Sequence, residues 1–193
     1  FDANRKRFDD ARENFEEFVA AVIAKLGRID ESIAHLEPRA STFRQNRDVR
    51  FSKDKSPYKV HMGMYLSKGG RKSFHAGYYF HLEPGGGLVG GGLWVPMAPE
   101  LKKVRQEIDY NWEDFREIVQ NKKFKSVYGD LEGNSDTKLS RPPKGYEADN
   151  PAIEYLKLKS LISSRKIPDT ELLSRDLAKK AAGYFEALVP LVS

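Results

Sequence analysis

The 193-residue chain carries 33 basic against 28 acidic side chains, a net charge of +5, and is 39% apolar and 11% aromatic. That length and apolar share fit one domain with a core of its own and exclude a disordered chain. With no cysteine there is no disulfide framework, thiolate nucleophile or cysteine-bound zinc, and no apolar run approaches the roughly 20 residues of a membrane helix.

Residues 4–26 read as one amphipathic helix. Phe8, Ala11, Phe15, Phe18, Val19, Val22 and Leu26 recur at three- and four-residue spacing, and Gly27 is placed to close the helix with a left-handed turn. A short helical turn is predicted between Asp30 and Leu36, ahead of Pro38. From 40 to 95 the pattern changes to alternation, the mark of strands, with Gly69-Gly70 and Gly85-Gly86-Gly87 as connections. Helical spacing returns over 97–128, through Leu101, Val104, Ile108, Phe115, Ile118 and Val119. Residues 129–150 form an irregular basic loop containing Arg141-Pro142-Pro143-Lys144-Gly145. A helix–strand–helix unit then occupies 151–192: Asn150-Pro151 reads as a helix start, Leu158 to Ile167 as a strand, and Ser174 as the cap of the last helix. The predicted fold is a single α+β domain, a mainly antiparallel sheet with helices packed on one face.

Side chains alternate across a strand, which divides two segments into faces. Met62, Met64 and Leu66 point one way and His61, Gly63, Tyr65 and Ser67 the other. Likewise Ala76, Tyr78, Phe80 and Leu82 oppose Gly77, Tyr79, His81 and Glu83. Pairing of the two segments would put His61, Tyr65, Tyr79, His81 and Glu83 on one polar sheet face, with Arg44 and Asn46 joining from a preceding strand. A polar face is ordinary for an antiparallel sheet, but histidine, tyrosine and glutamate are not the usual solubilising residues. His81 has the intrinsic pKa for acid–base work, Glu83 can orient it and Tyr79 can donate a proton, so these three are the candidate catalytic residues.

Candidate binding residues cluster in a basic, aromatic run: Arg44, Arg47, Asp48, Arg50, Lys53, Lys55, Lys59 and His61, with Phe43, Phe51 and Tyr58 among them. Planar guanidinium groups suit bidentate pairing with carboxylate or phosphate. The same residues could instead form an internal ion-pair network with Asp48, Asp54 or Glu83, or track a nucleic-acid backbone while the rings stack on bases. Arg141 and Lys144 add a second basic edge. His81 and Glu83, with His61, also have the residue types of an imidazole–carboxylate metal site, but a chain with four histidines offers few ligands and no metal is assigned. Gly85, Gly87 and Gly90 match a dinucleotide-binding spacing without the helix that motif requires. Ser52-Lys53-Asp54-Lys55 matches a serine-hydrolase spacing whose companion motifs are missing. Both are set aside.

Three blocks resemble an uncharacterised, largely bacterial family known as domain of unknown function 2461. They are Phe43-Arg44 with Arg47-Asp48-Val49-Arg50-Phe51-Ser52-Lys53-Asp54-Lys55-Ser56-Pro57-Tyr58-Lys59; Tyr78-Tyr79-Phe80-His81-Leu82-Glu83-Pro84-Gly85; and Arg141-Pro142-Pro143-Lys144-Gly145-Tyr146 with Asn150-Pro151-Ala152-Ile153. The resemblance implies a soluble α+β domain without established catalytic residues, and an N-terminal piece preceding Phe1. It also groups the basic run, the His81 strand and the Arg141 loop as parts of one site. The expected function is binding of a small anionic ligand, phosphorylated ligands included, on the basic polar face, with acid–base chemistry there as an option, in the cytoplasm and away from membranes. The alternatives are a nucleic-acid or protein docking module and a purely structural arginine network; cofactors are left unassigned.

Overall fold

The computed structural model describes residues 4–47, 50 and 55–193. Helix α1 (Arg5–Leu26) buries Phe15, Val19, Val22, Ile23 and Leu26, one stripe at helical spacing, while its charged residues face outward. Gly27 does not leave it in a left-handed turn: φ is −63° and its N–H donates to the Ile23 carbonyl at 2.8 Å. Glycine is needed there for a different reason, since a Cβ would lie 3.0 Å from the Ala34 Cα. The chain doubles back too closely for any side chain.

A 3₁₀ turn at Glu31–Ile33 and the short α2 (Pro38–Ser41) follow. The four-stranded sheet is antiparallel throughout, in the order β1 (Met62–Ser67), β2 (Gly77–Leu82), β3 (Gly87–Leu93), β4 (Leu161–Ile167). Between β3 and β4 run α3 (Ala98–Tyr110), α4 (Trp112–Gln120), α5 (Lys122–Tyr128), an irregular stretch and α6 (Ile153–Leu156). After β4 come α7 (Asp169–Leu172), α8 (Leu177–Glu186) and α9 (Val189–Val192). The last long helix is preceded by Asp176, not Ser174; the Ser174 hydroxyl instead accepts from the Asp176 N–H.

The alternation predicted from sequence is realised on the buried face. Met64, Leu66, Tyr78, Phe80 and Val89 are fully buried under α1 and α8. Phe18 of α1 meets Phe80 at 4.7 Å between ring centroids, and Phe185 of α8 meets Tyr78 at 5.4 Å. A smaller cluster of Ile108, Ala152, Ile153, Leu156 and Leu161 joins α3 and α6 to the end of β4; Phe115 and Leu131 bridge it to the main core. Asn150 starts α6 from a distance: its side chain accepts from the Ala152 N–H and donates to Asp109 of α3.

The described residues between 40 and 61 depart from the expected strand. Their described part pairs only through the isolated bridges Thr42–Met64 and Asn46–Tyr58, so Arg44 and Asn46 lie in a loop that folds back on itself beside β1. Polar, charged composition without a continuous apolar stripe gives a strand here nothing to bury.

Tyr78 is fully buried in the main core, and its hydroxyl donates to Asp30 Oδ2 at 2.7 Å. Asp30 is 8% exposed, and its other oxygen accepts from the Ser32 N–H and hydroxyl, capping the 3₁₀ turn. Burial, with Asp30 beside it, holds the Tyr78 phenol far above its ordinary pKa. Tyr78→Phe should cost about 1–3 kcal/mol in urea denaturation, because it strands a buried carboxylate oxygen. A loss below about 0.5 kcal/mol would show that water replaces the bond.

Candidate functional site

The open sheet face is set by register. Tyr65 pairs with Tyr79 and Gly63 with His81, so His61, two residues before Gly63, comes to lie opposite Glu83. Tyr79, His81 and Glu83 form a hydrogen-bonded chain: the Tyr79 hydroxyl lies 2.9 Å from His81 Nδ1, and His81 Nε2 lies 2.7 Å from Glu83 Oε2. The His61 ring stacks on His81 at 4.2 Å, with 28° between the planes. Side chains of His81 and Glu83 are 18% and 32% exposed, so solvent and solutes reach them. The turn after β2 closes around Glu83: Gly86 donates to the Glu83 carbonyl, and the Gly85 N–H is tied to Asp169 of α7 at 2.7 Å.

Next to this cluster lies a cleft of about 640 Å³. Its walls are Phe43, Tyr65, Tyr79 and Trp94, with Arg71 and Glu132 at opposite ends of the lining, and its floor is the backbone of Gly90 and Gly92. Tyr79 is the shared residue: its ring walls the cleft and its hydroxyl holds His81. Trp94 is 63% exposed and is followed by Val95, the one described non-glycine residue with positive φ, at 41°. A β-branched residue in that conformation is strained, and the bond from its N–H to the buried Ser160 hydroxyl holds it there.

The cleft edge is strongly basic. Lys59 Nζ sits 5.5 Å and Arg71 Cζ 5.1 Å from the centroid of the Phe43 ring, which both cations approach. Partial burial, then the charges of Arg44 and Arg71, hold Lys59 below the usual lysine range. Among the described residues none of Arg44, Lys59 and Arg71 is paired with a carboxylate. Partial burial, followed by His81 and Lys59, also holds His61 below the usual imidazole range against the pull of Glu83. Burial pushes Tyr65 and Tyr79 upward, with Glu83 adding to the effect on Tyr79.

The structure thus brings together Tyr79, His81, Glu83, His61, Lys59 and Arg44. Arg47 is engaged within its own loop, its guanidinium donating to Ser56 at 2.9 Å and its N–H to the Pro57 carbonyl. Arg50 and Lys55 are exposed in that loop, and Asp48 and Lys53 lie outside the described residues. Arg141 and Lys144 are exposed in the irregular stretch that pairs with the approach to β4, at the other edge of the sheet from β1, and neither lines the cleft. Arg71 and Trp94 were not singled out from sequence. Each lies at a strand end or turn, where no periodicity reports direction.

Chemically, a carboxylate that orients an imidazole, itself in contact with a phenol, can pass a proton; two imidazoles and a carboxylate can also hold a cation. The fold and site define an α+β domain with one sheet face packed by helices and the other left open and equipped with ionisable groups. The chain belongs to the conserved hypothetical protein family DUF2461, which it matches over residues 1–193. No curated protein and no solved structure matches it. Among the described residues, no helix is long and apolar enough to cross a membrane.

Proposed function

We propose that this is a cytoplasmic domain that binds a small anionic ligand, of which phosphate esters are the leading class, in the cleft on its open sheet face. The observation that carries the proposal is that Arg71 lines an aromatic-walled cleft, with Lys59 over the Phe43 ring that walls it and Arg44 close enough to act on Lys59, and that none of the three has a carboxylate partner among the described residues. Like charges held this close repel one another, and an anion between them relieves that repulsion. Arg71 uses its Nε to hold the Ala40 carbonyl at 3.2 Å, which steadies the guanidinium and leaves its other donors for a ligand. Phe43, Tyr65, Tyr79 and Trp94 suit a flat, partly apolar body attached to the anionic group. Tyr79 links that wall of the cleft to the His81–Glu83 pair.

A thermal-shift panel of nucleotides, sugar phosphates and carboxylic acids tests this, run at low and moderate salt with short oligonucleotides alongside. One small anion should raise Tm in both salt conditions. Arg71→Ala, with an unchanged circular dichroism spectrum, should weaken its binding at least about tenfold, the loss of one charge-assisted hydrogen bond. Oligonucleotide binding that falls steeply with salt, with no response to small anions, would replace this reading with a nucleic-acid interface.

A further inference from the structure

We infer that His61, His81 and Glu83 form a binding site for one divalent transition-metal ion, of the zinc or ferrous-iron type, on the open face of the β1–β2 ladder. This goes beyond the ligand-binding reading and does not depend on it. Each of the three residues offers one ligand atom, and these atoms all lie within 4.8 Å of one another. Ligands bound to one such ion at about 2.0–2.2 Å cannot be more than about 4.4 Å apart, so small side-chain rotations complete the set. His81 Nε2 and Glu83 Oε2, 2.7 Å apart, are already close enough to share an ion. The scaffold is regular sheet for His81 and for the residues next to His61 and Glu83, which fixes the three more firmly than a loop would.

A partner for the free nitrogen of a metal-bound His81 is also in place. A metal-bound imidazole characteristically donates its other ring N–H to a neighbouring acceptor, which sets tautomer and ring orientation. Here the Tyr79 oxygen lies 2.9 Å from His81 Nδ1. On metal binding, the ring proton moves from Nε2 to Nδ1 and donates to that oxygen, so the imidazole stays neutral and no proton is lost from it. Two imidazoles and one carboxylate are the donor set of both catalytic zinc and non-haem ferrous sites, and three protein ligands leave coordination positions open. Those positions are on the solvent-reachable side, since the residues are only partly buried. With one carboxylate against two positive charges, the loaded site is net cationic, and Lys59 stands near His61. An oxyanion is the natural occupant of an open position.

Co²⁺ titration of chelator-treated protein, followed by visible d–d absorbance and by competition with Zn²⁺, tests the site with metal alone. One equivalent should bind per chain, and His61→Ala, His81→Ala and Glu83→Gln should each weaken binding at least about tenfold. Tyr79→Phe, which leaves all three ligands, should weaken it about tenfold. His75→Ala, an exposed histidine bonded to Ser73 outside the cluster, should leave it unchanged. If a variant fails to fold, Co²⁺-shifted imidazole proton resonances of His61 and His81 in the unaltered protein decide the matter. No stoichiometric uptake, or uptake that persists in both histidine variants, overturns the assignment. Trp94→Ala and Arg71→Ala should retain Co²⁺ while losing the small anion, so the two proposals fail separately.

Discussion

Gly92→Ala is expected to destabilise the protein by about 3 kcal/mol or more, the combined cost of a disfavoured backbone conformation and overpacking. Gly92 has φ of +117°, and a Cβ there would lie 2.0 Å from the Leu161 carbonyl oxygen of β4. Its neighbour on the same face, Gly90, is constrained similarly, with a Cβ 2.4 Å from the Ser163 carbonyl. Gly90 and Gly92 are therefore required by the close approach of β4, and the open cleft floor is a consequence of that packing. Urea denaturation of the variant checks this; a loss below about 1 kcal/mol would mean that β4 shifts freely to make room.

Phe80→Ala should cost about 3–5 kcal/mol, a large part of the total stability of a domain this size. Phe80 is fully buried, at the middle of β2, with Phe18 of α1 packed on its ring. Its flanking residues, Tyr79 and His81, point to the other face. Where the variant remains folded, it should therefore keep stoichiometric Co²⁺ uptake while its denaturation midpoint falls. Loss of metal uptake without loss of stability would show that the two faces are not independent.

The contrast between these variants follows from how the chain divides its work. Strand alternation separates structural from chemical residues one by one, so core and site could be told apart along β1 and β2 before any coordinate was known. The helices were legible for a similar reason: burial at Phe15, Val19, Val22 and Leu26 obeys the helical period of α1 itself. Where burial has no period, in the described residues between 40 and 61 and at the β2–β3 and β3–α3 junctions, side-chain direction was not legible. The basic run stood out by composition as a candidate site, yet which of its cations come near the cleft was not legible. Lys59 joins Arg71, a turn residue, over the Phe43 ring at the cleft wall, and Arg44 lies close enough to act on Lys59, while Arg47 bonds Ser56.

Sequence alone thus settled the α+β class, the long first helix and the sorting of His61, Tyr65, Tyr79, His81 and Glu83 away from the apolar residues of their strands, because each depends on a period within one segment. The stacking of His61 on His81, the seating of Arg71 and Trp94 beside Tyr79, and the need for glycine at 27 and 92 were decided by the tertiary structure. They depend on inter-strand register and on how closely distant segments approach, and a linear pattern carries neither.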